Sequence, residues 1–237
     1  MNSFDLRTPA PKHSQGFTLV EMLVVIVIMS VLMTAGAIGL SGMGGKGVSS
    51  GVATSESLFD EARSIAVGKR TKTRLLVAKN LTNIPADNLR RIVVVYEELN
   101  ADGTPKTGSW LVADRATVLP DQVYYSAKFS KKNHQTGAGD VDSFTLSTGV
   151  KAAFVGDYYF YEFNAEGICT TPGASFVIGT GARGLSGTAL TSAPKITAAA
   201  KRDFGGFVVW RNGSTSAFRN PTQISTQISS LNSGGEF

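Results

Sequence analysis

Cysteine is almost missing from this chain: Cys169 is the single one in 237 residues. No disulfide can close within the chain, so a small cross-linked scaffold is excluded, and the thiol reads as a small buried apolar side chain. Histidine is nearly as scarce, with only His13 and His134. One imidazole and one distant thiol do not make a zinc site, and no serine has a histidine placed as its base, which removes triad hydrolysis. Asp140 and Asp142, beside Gly137 and Gly139, lack the fuller carboxylate set of a calcium loop. No metal, no cofactor and no enzymatic activity are expected. The formal charge of +5 is mild, and without a concentrated basic face it does not point to nucleic acid.

One glycine pattern imitates a nucleotide fingerprint. Gly179, Gly181 and Gly184 come after a β-rich stretch as G-x-G-x-x-G, with Asp203 about twenty residues on. A dinucleotide site requires a helix to begin at the third glycine, so that its amides meet the pyrophosphate. Here Gly187 and Pro194 interrupt the segment after that glycine, and a glycine-rich surface loop is the expectation.

What the chain does have is an apolar run, GFTLVEMLVVIVIMSVLMTAGAIGL from Gly16 to Leu40, whose single charge is Glu21. A helix over 17–40 would be roughly 36 Å long, enough to cross a hydrocarbon core. A charge at mid-helix in lipid costs about 2.5 to 3.5 kcal/mol on insertion scales, which marks Glu21 as a functional candidate. Cleavage after Gly16 would make Phe17 a new amino terminus. Glu21 would then lie one helical turn in, on the same face, where the terminal amine of a neighbouring copy can meet it. Two plainer readings compete: a secretory signal with its small-residue site at Ala35-Gly36-Ala37, and a simple single-span anchor. Neither requires glycine, aromatic and glutamate at this spacing.

The stretch G-F-T-L-V-E followed by an unbroken apolar run resembles the processing site of type IV pilins and type II secretion pseudopilins. The resemblance implies Gly16 as the last leader residue, Phe17 as the N-methylated terminus and Glu21 as the assembly carboxylate. It also implies prepilin peptidase, other pilin or pseudopilin subunits, an inner-membrane assembly platform and the lipid bilayer as partners. The implied location is the inner membrane, single-pass, with the carboxyl-terminal domain in the periplasm and a filament as the assembled state. Members of that family often carry a proline after the apolar run. This chain has none there, and its glycines between Gly36 and Gly47 are expected to supply a flexible segment instead of close small-residue packing.

The chain divides in order along its length. Residues 1–16 are a polar leader, 17–40 the transmembrane and filament-core helix, and 41–51 the Gly/Ser-rich flexible segment. Residues 52–70 form an amphipathic helix with Leu58, Ala62, Ile65 and Ala66 as its apolar stripe and Phe59 at the edge. Residues 71–219 carry β-rich runs at 73–78, 91–97, 110–113, 123–129, 158–163, 175–178 and 207–210, punctuated by turn pairs such as Asp102-Gly103 and Asn212-Gly213. No helical pattern separates them, so an antiparallel sheet is expected. Residues 220–237 are a polar tail, read as a loose end although Ile224, Ile228 and Leu231 fall at helical intervals. The fold class is therefore α+β, a long amino-terminal helix packed on an antiparallel sheet, as in the type IV pilin fold.

The segment ARSIAVGKRTKTRLLVA, the turn from Asn164 to Gly167 and the closing strand with Asn212-Gly213 resemble the GspH/FimT group of minor pseudopilins and minor pilins. The implied function is a minor pseudopilin of a type II secretion pseudopilus, with a type IV minor pilin as the alternative and an anchored or secreted β-domain as the remaining one. Lys128, Lys131 and Lys132, interleaved with Tyr124, Tyr125 and Phe129, are the best candidates for contact with an anion or DNA, and Arg211 and Arg219 a smaller one. A solvated loop is the ordinary meaning of such a run, and nucleic acid is not the expected partner.

Overall fold

The computed structural model describes residues 19–41, 43–184, 187–196, 203–231 and 234–237. They fall into two compact units, one up to Ser41 and one from Gly42 onward.

The first unit is helix α1, Leu19–Ser41. Leucine, methionine and alanine favour it, and Glu21 in its first turn suits the positive end of the helix dipole. Ser30 Oγ donates to the Ile26 carbonyl at 2.7 Å, the local bond by which a hydroxyl satisfies itself in an apolar helix. Among the described residues no helix is long and apolar enough to cross a membrane. Within α1 the described side chains run from Leu19 to Ser30, which is about 18 Å of helix against a hydrocarbon core of roughly 30 Å.

The second unit begins with helix α2, Met43–Lys69. This corrects the flexible segment expected at 41–51, which is helical from Met43. Gly51 is buried in the helix, and a Cβ there would come within 2.8 Å of Ile178 Cδ1. Gly51 thus acts in close packing. The buried face is Val48, Gly51, Ser55, Phe59, Ala62 and Ala66, at steps of three or four. The stripe is therefore rotated by about one residue from the one expected: Phe59 is its centre, and Leu58 and Ile65 are partly buried flanks. Arg70, at φ 52, ends the helix. The Thr71 amide donates to the Ala66 carbonyl at 3.2 Å and the Arg70 amide to Val67 at 3.4 Å, a left-handed cap of the Schellman type.

Among the described residues twelve strands follow: β1 (Thr73–Leu81), β2 (Arg91–Leu99), β3 (Pro105–Val112), β4 (Thr117–Val118), β5 (Val123–Tyr125), β6 (Lys131–Asn133), β7 (Ala138–Asp140), β8 (Ser143–Leu146), β9 (Gly156–Phe163), β10 (Ala174–Thr180), β11 (Phe204–Val209) and β12 (Thr215–Ala217). One sheet has the order β3-β2-β1-β9-β8 with β4 also paired to β2, a second has β12-β11-β10-β5, and β6-β7 is a separate hairpin. Every named pairing is antiparallel, as expected. The strand expected at 123–129 stops at Tyr125. The Ser126 and Ser130 hydroxyls accept from the Phe129 and Val177 amides, and the Ser130 amide donates to the Ser126 carbonyl, so the chain turns there.

Both faces of the first sheet are covered, which explains why β1 and β2 read as continuous apolar runs. Leu75, Val77, Ile92, Val94 and Tyr161 face α2, while Leu76, Ala78, Val93, Val95 and Tyr158 join Trp110 and Leu146 on the other side. In the second sheet Phe176, Ile178, Phe207 and Val209 face the helix. Its outer face is covered by the tail: Ile224, Ile228, Leu231 and Phe237 are buried with Tyr124, Phe129, Val177 and Phe204. The loose end expected at 220–237 is thus docked, through two short 3-10 turns at Pro221–Gln223 and Thr226–Ser230.

Phe59 is fully buried and meets four rings edge-on, Tyr161 and Phe207 at 5.1 Å, Phe176 at 5.6 Å and Phe163 at 6.2 Å. Phe59→Ala is expected to destabilise the domain by about 3 to 5 kcal/mol, read as a lower denaturant midpoint with an unchanged slope. A loss below about 1 kcal/mol would mean that the box of rings collapses without it.

Candidate functional site

Helix α1 is the first candidate, and its chemistry is apolar. Ten side chains between Leu19 and Met29 are 41 to 83% exposed, and Glu21 is the one charge among them. A helix apolar on every side buries itself in lipid or in a larger assembly. Of the sequence-assigned positions here, Glu21 lies in the first turn of the helix, whereas Gly16 and Phe17 lie outside the described residues.

The lysine cluster does not form a free basic face. Lys131 Nζ lies 2.6 Å from Asp140 and Lys132 Nζ 2.7 Å from Asp142. The register of the hairpin, which sets Lys131 opposite Asp140, makes the first pair. That contact holds the Asp140 carboxyl below the usual carboxylate range. Lys128 instead sits 5.7 Å from the Phe129 ring. The two aspartates considered as cation ligands are thus partners of lysine, and among the described residues no cluster of His, Cys, Asp and Glu is suited to a metal.

Other motifs are structural. Gly179 and Gly181 leave room for the Phe204 and Phe237 rings, 2.4 and 2.5 Å from where a Cβ would stand. The described segment after Gly184 is a four-residue 3-10 turn, Gly187–Leu190, not an α-helix. The turns at Gly167 and Gly213 both lie against α2, at Val67 and Arg63. Glu162 pairs with Arg74 at 2.7 Å. Cys169 is buried, which pushes its thiol up from its ordinary value.

Sequence reasoning missed one feature apart from its mention of Arg211. An open groove of about 780 Å³ lies between the β6–β7 hairpin and the end of β11, with Trp210 and Arg211 on one side and His134 on the other. Trp210 is 48% exposed, whereas Trp110 is buried. The available signal was a tryptophan placed last in an apolar run, beside Arg211 and just before the Asn212-Gly213 turn. A buried strand end was the simpler reading of that pattern.

Residues 11–37 match the family model described as the prokaryotic N-terminal methylation motif. The chain therefore carries the signature of type IV pilins and pseudopilins, the class of subunit that a prepilin peptidase processes. No curated protein matches the chain, and no solved structure does. The match is confined to that motif, so the domain that comes after it rests on its own geometry.

His134 gives this region a pH signature. Burial lowers its imidazole below 6.5, against a hydrogen bond to the Gln223 backbone that acts the other way. The unfolded chain therefore takes up this proton first. The contribution of His134 to stability is complete above 6.5 and is lost as pH falls through the lower folded value. NMR titration of His134 should give a midpoint below 6.5. Phe218→Ala removes a ring whose centroid lies 4.7 Å from the imidazole and should bring the midpoint back up. An unchanged midpoint in that variant would show that the ring does not shield it.

Proposed function

We propose that the chain is a minor pseudopilin of a type II secretion pseudopilus: a structural subunit cleaved after Gly16, methylated at Phe17 and assembled through α1. Before assembly it spans the inner membrane once, with the domain from Gly42 on the periplasmic side. Its work is assembly, not turnover. The observation that carries this reading is the methylation motif on a helix that presents apolar side chains all round with Glu21 as their one charge.

The driving force is hydrophobic and van der Waals. Helices leave lipid, where they have no apolar surface to hide from water, and pack on one another by close contact. The Phe17 amine of one subunit and Glu21 of the next then set register. A buried pair of this kind specifies alignment more than it adds stability, because desolvating both charges offsets their attraction.

A type IV minor pilin is the second reading, favoured by the same motif. A DNA-capturing form of it finds little support in lysines that are already paired with Asp140 and Asp142.

The mass of the mature amino terminus tests the processing. N-methylphenylalanine at Phe17 is expected, and a chain starting at Met1 or just after Ala37 would overturn it. Glu21→Ala should still insert and be cleaved, yet be missing from sheared filaments. Normal incorporation of that variant would remove the register role while leaving the processing intact.

A further inference from the structure

The groove at the end of β11 is built differently from the rest of the domain surface. Outside α1, Val67, Val118 and Trp210 are the large apolar side chains exposed among the described residues, and Trp210 is the only aromatic of the three. Its position is fixed: the indole Nε1 donates to Ser216 Oγ at 2.7 Å. The polar edge of the ring is therefore already satisfied, and what the indole adds to the lining of a groove of about 780 Å³ is apolar π surface. Such a volume suits a small ligand or one stretch of a longer one.

The polar lining has one character. Asn133, Gln135 and Gln223 contribute side-chain amides, the Asn133 and Gln223 oxygens each already accepting from one backbone amide, of Thr136 and Arg219, and His134 adds an imidazole whose charged form burial disfavours. Among the described residues no aspartate or glutamate lines the groove, and Arg211 is its one cation. Among the described residues no carboxylate forms an ion pair with Arg211. A strand of nucleic acid would call for a row of cations along its phosphates as well as a stacking ring. A polyhydroxy ring calls for what is here. Its C–H face lies on an indole, its hydroxyls exchange hydrogen bonds with neutral amides, and a carboxylate on an acidic sugar finds a guanidinium.

We propose that this groove binds a glycan, stacking one pyranose ring on Trp210 with its hydroxyls on Asn133, Gln135 and Gln223, and with Arg211 placed for an acidic sugar. The site lies wholly in the unit from Gly42 to Phe237 and does not depend on how α1 is processed or assembled.

The test uses the full chain in micelles of an alkyl amine oxide, a detergent without a sugar headgroup. Oligomers of β-1,4-linked glucose, of N-acetylglucosamine and of a uronic acid are titrated separately by isothermal titration calorimetry, whose signal does not depend on the substituted indole. A thymidine oligonucleotide serves as the comparator. A saturable change with at least one saccharide is expected. It should weaken about tenfold or more in Trp210→Ala and persist in Trp210→Tyr, which keeps a stacking face. Circular dichroism melts establish that each variant is folded. Should Trp210→Ala not fold, Gln135→Ala, at an exposed position of the lining, should weaken binding several-fold. No saturable response to any of the three saccharides overturns the proposal. So does a response unchanged in the substituted chains, or one seen with the oligonucleotide alone.

Discussion

The domain depends on one side chain reaching from a helix into two sheets. Phe59 meets Tyr161 and Phe163 of the first sheet and Phe176 and Phe207 of the second, all edge-on, and it is wholly buried. Ring edges facing ring faces bring together opposite ends of their quadrupoles, and the contact is directional as well as apolar. Gly51, Ser55, Ala62 and Ala66 complete the same helical face and are all small, so the backbone of α2 can approach both sheets while Phe59 fills the gap between them. A polar chain reinforces the join. Tyr161 donates to the Ser175 carbonyl at 2.7 Å, which uses its one hydrogen, so Tyr125 donates to Tyr161 at 3.0 Å. Burial raises both phenols well above their ordinary values, and both keep their protons.

With the inner faces committed to Phe59, the outer faces need covers of their own. On the first sheet, Arg74 lies within 4.7 Å of the centroids of Trp110, Phe144 and Phe160 while it pairs with Glu162. Strands β3, β8 and β9 are thus gathered around a cation held on β1, with cation–π attraction adding to apolar contact. On the second sheet, the tail supplies the cover with Ile224, Ile228, Leu231 and Phe237. In the basic run at 128–132, Lys131 and Lys132 are paired with Asp140 and Asp142.

How much of the molecule was legible in the sequence depends on how local each signal is. The processing motif and α1 are local, and the resemblance of that short stretch is what singled out Gly16, Phe17 and Glu21. Strands β1, β2, β9, β10 and β11 are legible because β-branched and aromatic residues crowd them. Strands β6, β7 and β12 have three residues each and are mostly polar, so composition could not show them. The face of α2 was misjudged because Gly51, Ser55 and Ala66 carry little hydrophobic weight. Burial there is decided by the sheets, and Leu58 and Ile65 drew the stripe to one side. The tail showed its apolar spacing but not the distant surface it fills, since Tyr124, Phe129 and Phe204 come together only in three dimensions. The groove was illegible for the same reason: His134 and Trp210 are far apart in the chain.

Cys169 carries a consequence for how the protein matures. Its side chain is 2% exposed, and burial disfavours the thiolate, the form that attacks other sulfurs. With no second thiol in the chain, native architecture owes nothing to oxidants or to enzymes that shuffle sulfur bonds. The sheet domain can therefore reach one and the same final state in a reducing or an oxidising compartment, and its folding meets no redox demand in either.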